Sequence, residues 1–140
     1  MKVLKFGGSS VGTPERIKVV KSIVEAQLLP CVVVVSAFQG VTDQLHKLAE
    51  LAANGSTESW DLLGKLTALH RDTTATLIPE KVKRDEVLKY VDDILNELTE
   101  ICTGIFLLRE ITNHSLDNVL AIGERLSSRI ISGYLENSIY

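Results

Sequence analysis

The apolar pattern changes period several times along the chain, and each change marks a different element. Residues 2–6 carry Val3, Leu4 and Phe6 in a short apolar run, which predicts a buried strand. Thr13-Pro14-Glu15 then reads as a helix start: threonine can cap, proline suits the first helical position, and an acid suits the first turn. Ile17, Val20, Ile23 and Val24 recur at helical spacing, so a helix over residues 14–28 is expected, ended by Pro30. The run from Cys31 to Val35 is apolar without alternation, which predicts a second strand, over 31–36, buried on both faces. Strand, helix, strand opens a parallel α/β sheet with a right-handed crossover.

The rest of the pattern is helical. After Gly40-Val41-Thr42-Asp43, the apolar residues Leu45, Leu48, Ala49 and Ala52 share one face, and Asn54-Gly55-Ser56 supplies turn chemistry to close that helix. A helical hairpin follows, its arms predicted over 57–77 and 81–109 and separated by Pro79. Leu62, Leu63, Leu66 and Leu69 line the first arm. In the second, Val87, Val91, Ile94, Leu98, Ile101, Ile105 and Leu108 alternate steps of three and four, a seam for helix-on-helix packing. Gly104 inside that seam suggests a close approach or a kink. The last helix is expected to start at Ser115 as its cap and to run to 136 or 137. Its inner face would hold Leu116, Val119, Leu120, Gly123, Ser127, Ile130, Ile131 and Tyr134. Glu124 falls at the margin of that stripe, while Arg125 and Arg129 point away from it.

One stretch carries chemistry of its own. Lys5 lies inside the first predicted strand, where a lysine is costly unless an anion meets it. The strand runs into Gly7-Gly8 and then the hydroxyls of Ser9 and Ser10. Adjacent glycines let backbone N–H groups point outward at close range, and a cation beside them suits phosphate oxygens. A plain turn with a solvated lysine is the alternative, and the spacing is neither the P-loop nor the dinucleotide fingerprint. A second stretch, from Ser36 to Gly40, follows the second strand at its carboxyl end, the edge where open α/β sheets bind ligands.

Composition narrows the possibilities. The chain has 140 residues, 45% of them hydrophobic, enough for one domain with a core. A net charge of −3 with no basic run gives no reason to expect nucleic-acid binding. Cys31 and Cys102 lie in apolar stretches and read as buried free thiols, and no histidine stands at zinc-ligand spacing with them, so no metal site of protein side chains is expected. No apolar run is long enough to span a bilayer and no leader pattern is visible, so no membrane partner is expected and a cytoplasmic enzyme fits.

Lys5-Phe6-Gly7-Gly8-Ser9-Ser10-Val11 resembles the opening signature of aspartokinases in the amino-acid kinase family, where threonine usually stands at the position of Ser9. Val35-Ser36-Ala37 through Gly40-Val41-Thr42-Asp43 resembles that family's second motif, and Ser115, Asp117, Gly123-Glu124 and Ser127 resemble the segment ending in Gly-Glu. The resemblance implies an α/β fold, part of a three-layer αβα architecture with parallel strands and a long helical hairpin. It implies phosphoryl transfer from ATP, as its Mg2+ complex, to the β-carboxylate of L-aspartate, the first step of lysine, threonine and methionine biosynthesis.

The same resemblance assigns roles. Lys5, Gly7, Gly8 and Ser9 would hold and stabilise the phosphoryl group, with the first three catalytic. Ser36, Thr42 and Glu124 would bind the amino acid, Glu124 as counter-charge to its α-ammonium group. A capping role for Thr42, a backbone-bonded hydroxyl for Ser36 and a solvated or paired Glu124 are the plain alternatives. By the family pattern, residues 1–140 are the amino-terminal, amino-acid-binding portion of a catalytic domain, ending before the nucleotide-binding half and inactive alone. A homo-oligomer is expected, with copies completing the sheet or covering the hairpin. Another small-molecule kinase of the same superfamily and a non-catalytic oligomerisation module are the rival readings.

Overall fold

The computed structural model describes residues 2–140. The chain forms β1 (Lys2–Phe6), a 3-10 turn (Gly8–Val11), α1 (Pro14–Glu25), β2 (Cys31–Val35), α2 (Val41–Ala53), α3 (Glu58–Leu77), α4 (Lys81–Leu108) and α5 (Asn113–Tyr134). β1 and β2 pair in parallel, with Lys5 opposite Val34 and Phe6 opposite Val35. The α/β class, the parallel strands and the long hairpin of α3 and α4 match expectation.

Local chemistry explains the helix ends. Thr13 Oγ1 accepts from the Arg16 amide at 3.3 Å and Pro14 is the first helical residue of α1. Glu80 caps α4, its carboxylate accepting from the amides of Val82 (2.9 Å) and Lys83 (2.7 Å); these two bonds hold its pKa below the usual carboxylate range. The cap of α5 is Thr112, not Ser115. Thr112 Oγ1 accepts from the Ser115 amide at 3.1 Å, and Ser115 Oγ accepts from the Thr112 amide at 3.0 Å, a reciprocal capping box. α1 ends at Glu25 and α5 at Tyr134, each short of its predicted end.

The core lies between α2, α4 and α5, with α3 flanking it. Leu45, Leu48, Ala49 and Ala52 of α2 are all buried, as are Val91, Leu98 and Cys102 of α4 and Val119, Ile122, Leu126 and Ile130 of α5. Ile122 and Leu126 extend the stripe of α5 beyond the residues predicted for it. Leu69, Ile23 and Leu108 lie exposed instead of in the core. A Cβ on Gly104 would meet nothing within 4 Å, so α4 makes no close approach there. Arg125 and Arg129 leave the apolar stripe of α5 and tie it to α4. Arg125 donates to both oxygens of Glu97 at 2.8 and 2.7 Å, and Arg129 stacks on Tyr90 at 3.6 Å.

The sheet departs most from expectation. β1 and β2 are not buried on both faces: Val3 is 59% exposed, Val32 42% and Val34 44%. Leu4, Phe6, Val33 and Val35 point to the covered face, where α5 packs. The opposite face, which includes Lys5, is bare. Continuous apolarity in β2 therefore reflects residues suited to two covered faces, of which this chain covers one. The three-layer arrangement has only one helical layer on the sheet among the described residues.

Candidate functional site

The candidate site forms where two loops and the middle of α5 meet at Ala37. Ser36, Ala37 and Phe38 leave the carboxyl end of β2, and the Ser36 amide donates to the Phe6 carbonyl at 3.0 Å, which keeps the ends of both strands level. The Val41 amide donates to the Phe38 carbonyl at 3.0 Å, closing a turn with Gly40 at its third position. Gly40 has φ +79°, a conformation that glycine adopts without steric cost and that starts α2. Thr42 is thus the second residue of α2 and not its cap; its side chain is exposed at the mouth of the turn.

α5 reaches the same point through Gly123. A Cβ there would lie 2.8 Å from Ala37 Cβ, 3.2 Å from Leu45 Cδ1 and 3.5 Å from Val41 Cγ1, so only glycine permits this approach. One turn further on, buried Ser127 Oγ donates to the Ser36 carbonyl at 2.8 Å. Gly123 and Ser127 therefore fasten the middle of α5 to the end of β2, and Glu124 lies between them in sequence. Glu124 is exposed and takes part in no ion pair among the described residues. A carboxylate in that state keeps its full capacity to accept from a ligand cation.

The glycine loop arrives from the other side. A Cβ on Gly8 would lie 3.3 Å from the Ala37 carbonyl oxygen, so the loop abuts the Ser36–Phe38 segment. Ser10 N donates to the Gly7 carbonyl at 2.9 Å, starting the 3-10 turn, and the amides of Gly8 and Ser9 at its head have no acceptor among the described residues. Arg16 Nη1 donates to the Ser9 carbonyl at 2.7 Å and pins the loop from α1. Lys5 lies two residues before Gly7, exposed and in no ion pair among the described residues. Solvent exposure removes the burial cost expected of it from the sequence.

The structure thus brings the segments bearing Gly8, Ser36, Thr42 and Glu124 together at one residue, Ala37. Lys5 and Gly7 join them through the strand and loop that they share. Sequence reasoning missed two contributors. Ser127 entered as an inner-face residue and as part of the segment resembling the family's Gly-Glu motif, without a role of its own, and its bond to β2 had no local signal. His70 of α3 is fully buried, with its ring stacked on Phe38 at 5.2 Å between centroids and 12° between planes. Its Nδ1 donates to the Leu66 carbonyl at 2.7 Å, and burial pushes its pKa below the ordinary imidazole value. A lone histidine on an apolar helix face has no pattern that marks such a role.

No group of three or more His, Cys, Asp or Glu side chains is placed to hold a metal among the described residues. Both cysteines are free, Cys102 buried and Cys31 half-buried. No helix is long and apolar enough to cross a membrane among the described residues.

The profile of the amino acid kinase family matches residues 1–138. The chain belongs to the amino acid kinase family. Among curated members, aspartokinase 1, chloroplastic, of Arabidopsis thaliana is 30% identical over 135 residues, covering 95% of this chain and 23% of that protein. The aspartokinase of Candida albicans is 31% identical over 153 residues, covering 99% of this chain and 27% of that protein. The chain thus spans about a quarter of the length of the curated relatives it matches. Among solved structures, E. coli aspartokinase III in complex with aspartate and ADP superposes with a TM-score of 0.79 at 24% identity, over 96% of this chain and 28% of that one. That likeness places the arrangement of strands and hairpin within the amino-acid kinase fold.

Proposed function

We propose that this chain is the amino-terminal, amino-acid-binding portion of an aspartokinase catalytic domain. The whole enzyme would transfer the γ-phosphoryl group of ATP to the β-carboxylate of L-aspartate. The observation that carries the reading is the meeting of three motif-bearing segments, two loops and the middle of α5, at Ala37: Gly8 abuts its carbonyl and Gly123 its side chain, with Ser36 next to it and Thr42 next to Val41. In this reading a site for an amino acid lies beside a site for phosphate, the adjacency that in-line transfer requires. The aspartokinase names of the relatives support the choice of aspartate over other substrates.

In this reading Glu124 accepts a charge-assisted hydrogen bond from the substrate's α-ammonium group, and the Ser36 and Thr42 hydroxyls fix the rest of the amino acid. The β-carboxylate oxygen attacks the γ-phosphorus. The bond from that phosphorus to the β,γ-bridging oxygen breaks, and 4-phospho-L-aspartate and ADP result. The Gly7, Gly8 and Ser9 segment holds the moving phosphoryl oxygens by backbone amides, and Lys5 offsets their charge. Mg2+ would enter with the nucleotide, since the described residues supply no acidic cluster for it. The reading carries with it a cytoplasmic, homo-oligomeric enzyme of lysine, threonine and methionine biosynthesis.

Calorimetric titration of the chain with L-aspartate and L-glutamate tests the reading. Saturable binding of aspartate, weaker binding of glutamate, and a roughly ten- to hundredfold loss in Glu124→Gln are expected, the size of a lost hydrogen bond to a charged group. Preference for glutamate would favour another kinase of the family. Unaltered aspartate binding in Glu124→Ala, with changed assembly, would favour an oligomerisation module. The chain alone is expected to form no aspartyl phosphate, and sustained turnover by it would contradict the assignment to a partial catalytic domain.

A further inference from the structure

The segment between Ser36 and Thr42 has few bonds of its own. Its backbone is fixed by the Ser36 amide to Phe6, the Val41 amide to Phe38 and Ser127 Oγ to the Ser36 carbonyl. Between these ties stands Phe38, a buried ring inside a surface loop. What it rests on is the imidazole of His70, nearly parallel to it at 5.2 Å. His70 belongs to α3, an element that carries none of the motif residues. It is fully buried, and its Nε2 has no hydrogen-bond partner among the described residues. An imidazole buried at the cost of an unmet acceptor suggests a use for its flat face. Nδ1 donates to Leu66 in the preceding turn of α3, which fixes the tautomer and the ring plane. The face presented to Phe38 is therefore held in one orientation.

We infer that His70 is a positioning residue for the amino-acid site, its ring holding Phe38 so that the turn from Phe38 to Val41 sets Ser36 and Thr42 at a fixed separation. The inference rests on the assignment of those two hydroxyls to the substrate. Its consequence is that α3 controls the fraction of molecules whose loop is competent to bind, and apparent affinity scales with that fraction. A ring of similar footprint should serve, whereas a methyl group should not.

The test compares His70→Ala and His70→Phe in the full chain, with two readouts: the dissociation constant for L-aspartate and the exchange rate of the Val41 amide. His70→Ala is expected to weaken aspartate binding roughly fivefold or more and to speed exchange at Val41. His70→Phe is expected to restore both, although it cannot make the bond to Leu66. A folded His70→Ala protein that binds aspartate like the wild type overturns the inference. If His70→Ala does not fold, Phe38→Leu takes its place, since it keeps apolar volume and loses the stack; unchanged binding there overturns the inference equally. Absence of aspartate binding by the wild-type chain overturns the proposed function instead. The Val41 amide still decides between a clamped and an independent turn, and exchange that does not change in the variants overturns the clamp.

Discussion

At the scale of single residues, burial decides which groups react and which titrate. Burial pushes the Cys102 thiol up to about 11, so almost none of it is thiolate near neutrality. Cys31 is half-buried at the start of β2. Iodoacetamide at pH 8 is therefore expected to modify Cys31 in the folded chain and to reach Cys102 only after unfolding in guanidinium, which mass spectrometry of the peptides would show. His70 gives a pH dependence of defined sign. Its folded pKa lies below the ordinary 6.5, because burial disfavours the charged ring. Between the folded value and 6.5 the unfolded chain binds the extra proton, so stability is fully present above that range and falls as the pH drops through it. The melting temperature of the wild type should consequently decline more between pH 7.5 and 5.5 than that of His70→Phe, and parallel declines would show that another group is responsible. The pair of Arg125 and Glu97 acts in the opposite sense to burial. The guanidinium holds the Glu97 carboxyl below its usual range, but both side chains are well exposed and the pair adds little to stability.

Among the elements, α5 is the part on which the site depends, and its glycine shows why. Gly123→Ala inserts a methyl group 2.8 Å from Ala37 Cβ. Overpacking of this kind costs about 1–3 kcal/mol, more than the ~1 kcal/mol that alanine contributes over glycine in a helix. Gly104→Ala in α4 meets nothing within 4 Å and keeps only the favourable term. Chemical denaturation should find the first variant less stable than the wild type and the second more stable by about 0.5–1 kcal/mol. A Gly123→Ala protein as stable as Gly104→Ala would mean that α5 does not press against the end of β2. Element boundaries were legible wherever a local signal marks them: Thr13-Pro14 for α1, Gly40 and Asn54-Gly55 for α2, Pro79 between the hairpin arms. The start of α5 was not, because Thr112 and Ser115 are both hydroxyl caps by residue type. Only their reciprocal bonds show that Ser115 is the third helical residue. The stack of Phe38 on His70 was equally hidden, since it joins residues 32 positions apart with no shared period.

Across the whole molecule, sequence pattern picked out the segments that meet at Ala37 more clearly than the coverage of the sheet. The glycine loop, the end of β2 and the Gly-Glu segment of α5 were each legible as motifs, and their meeting at Ala37 follows from topology that no local pattern encodes. The apolar run of β1 was read as a buried strand and that of β2 as buried on both faces, yet Val3, Val32 and Val34 stand exposed. Hydrophobicity records what a strand suits, and coverage depends on layers contributed from elsewhere in the fold. The chain spans about a quarter of the length of the curated relatives it matches, and the proposed amino-acid site is the part of the proposal that can be tested on it directly. The most direct measurement is a backbone amide chemical-shift titration of the chain with L-aspartate. The account predicts saturable shifts centred on Ser36 to Thr42 and on Glu124, absent at the far end of the hairpin around Pro79. No saturable shifts, or shifts centred on any other surface, would contradict it.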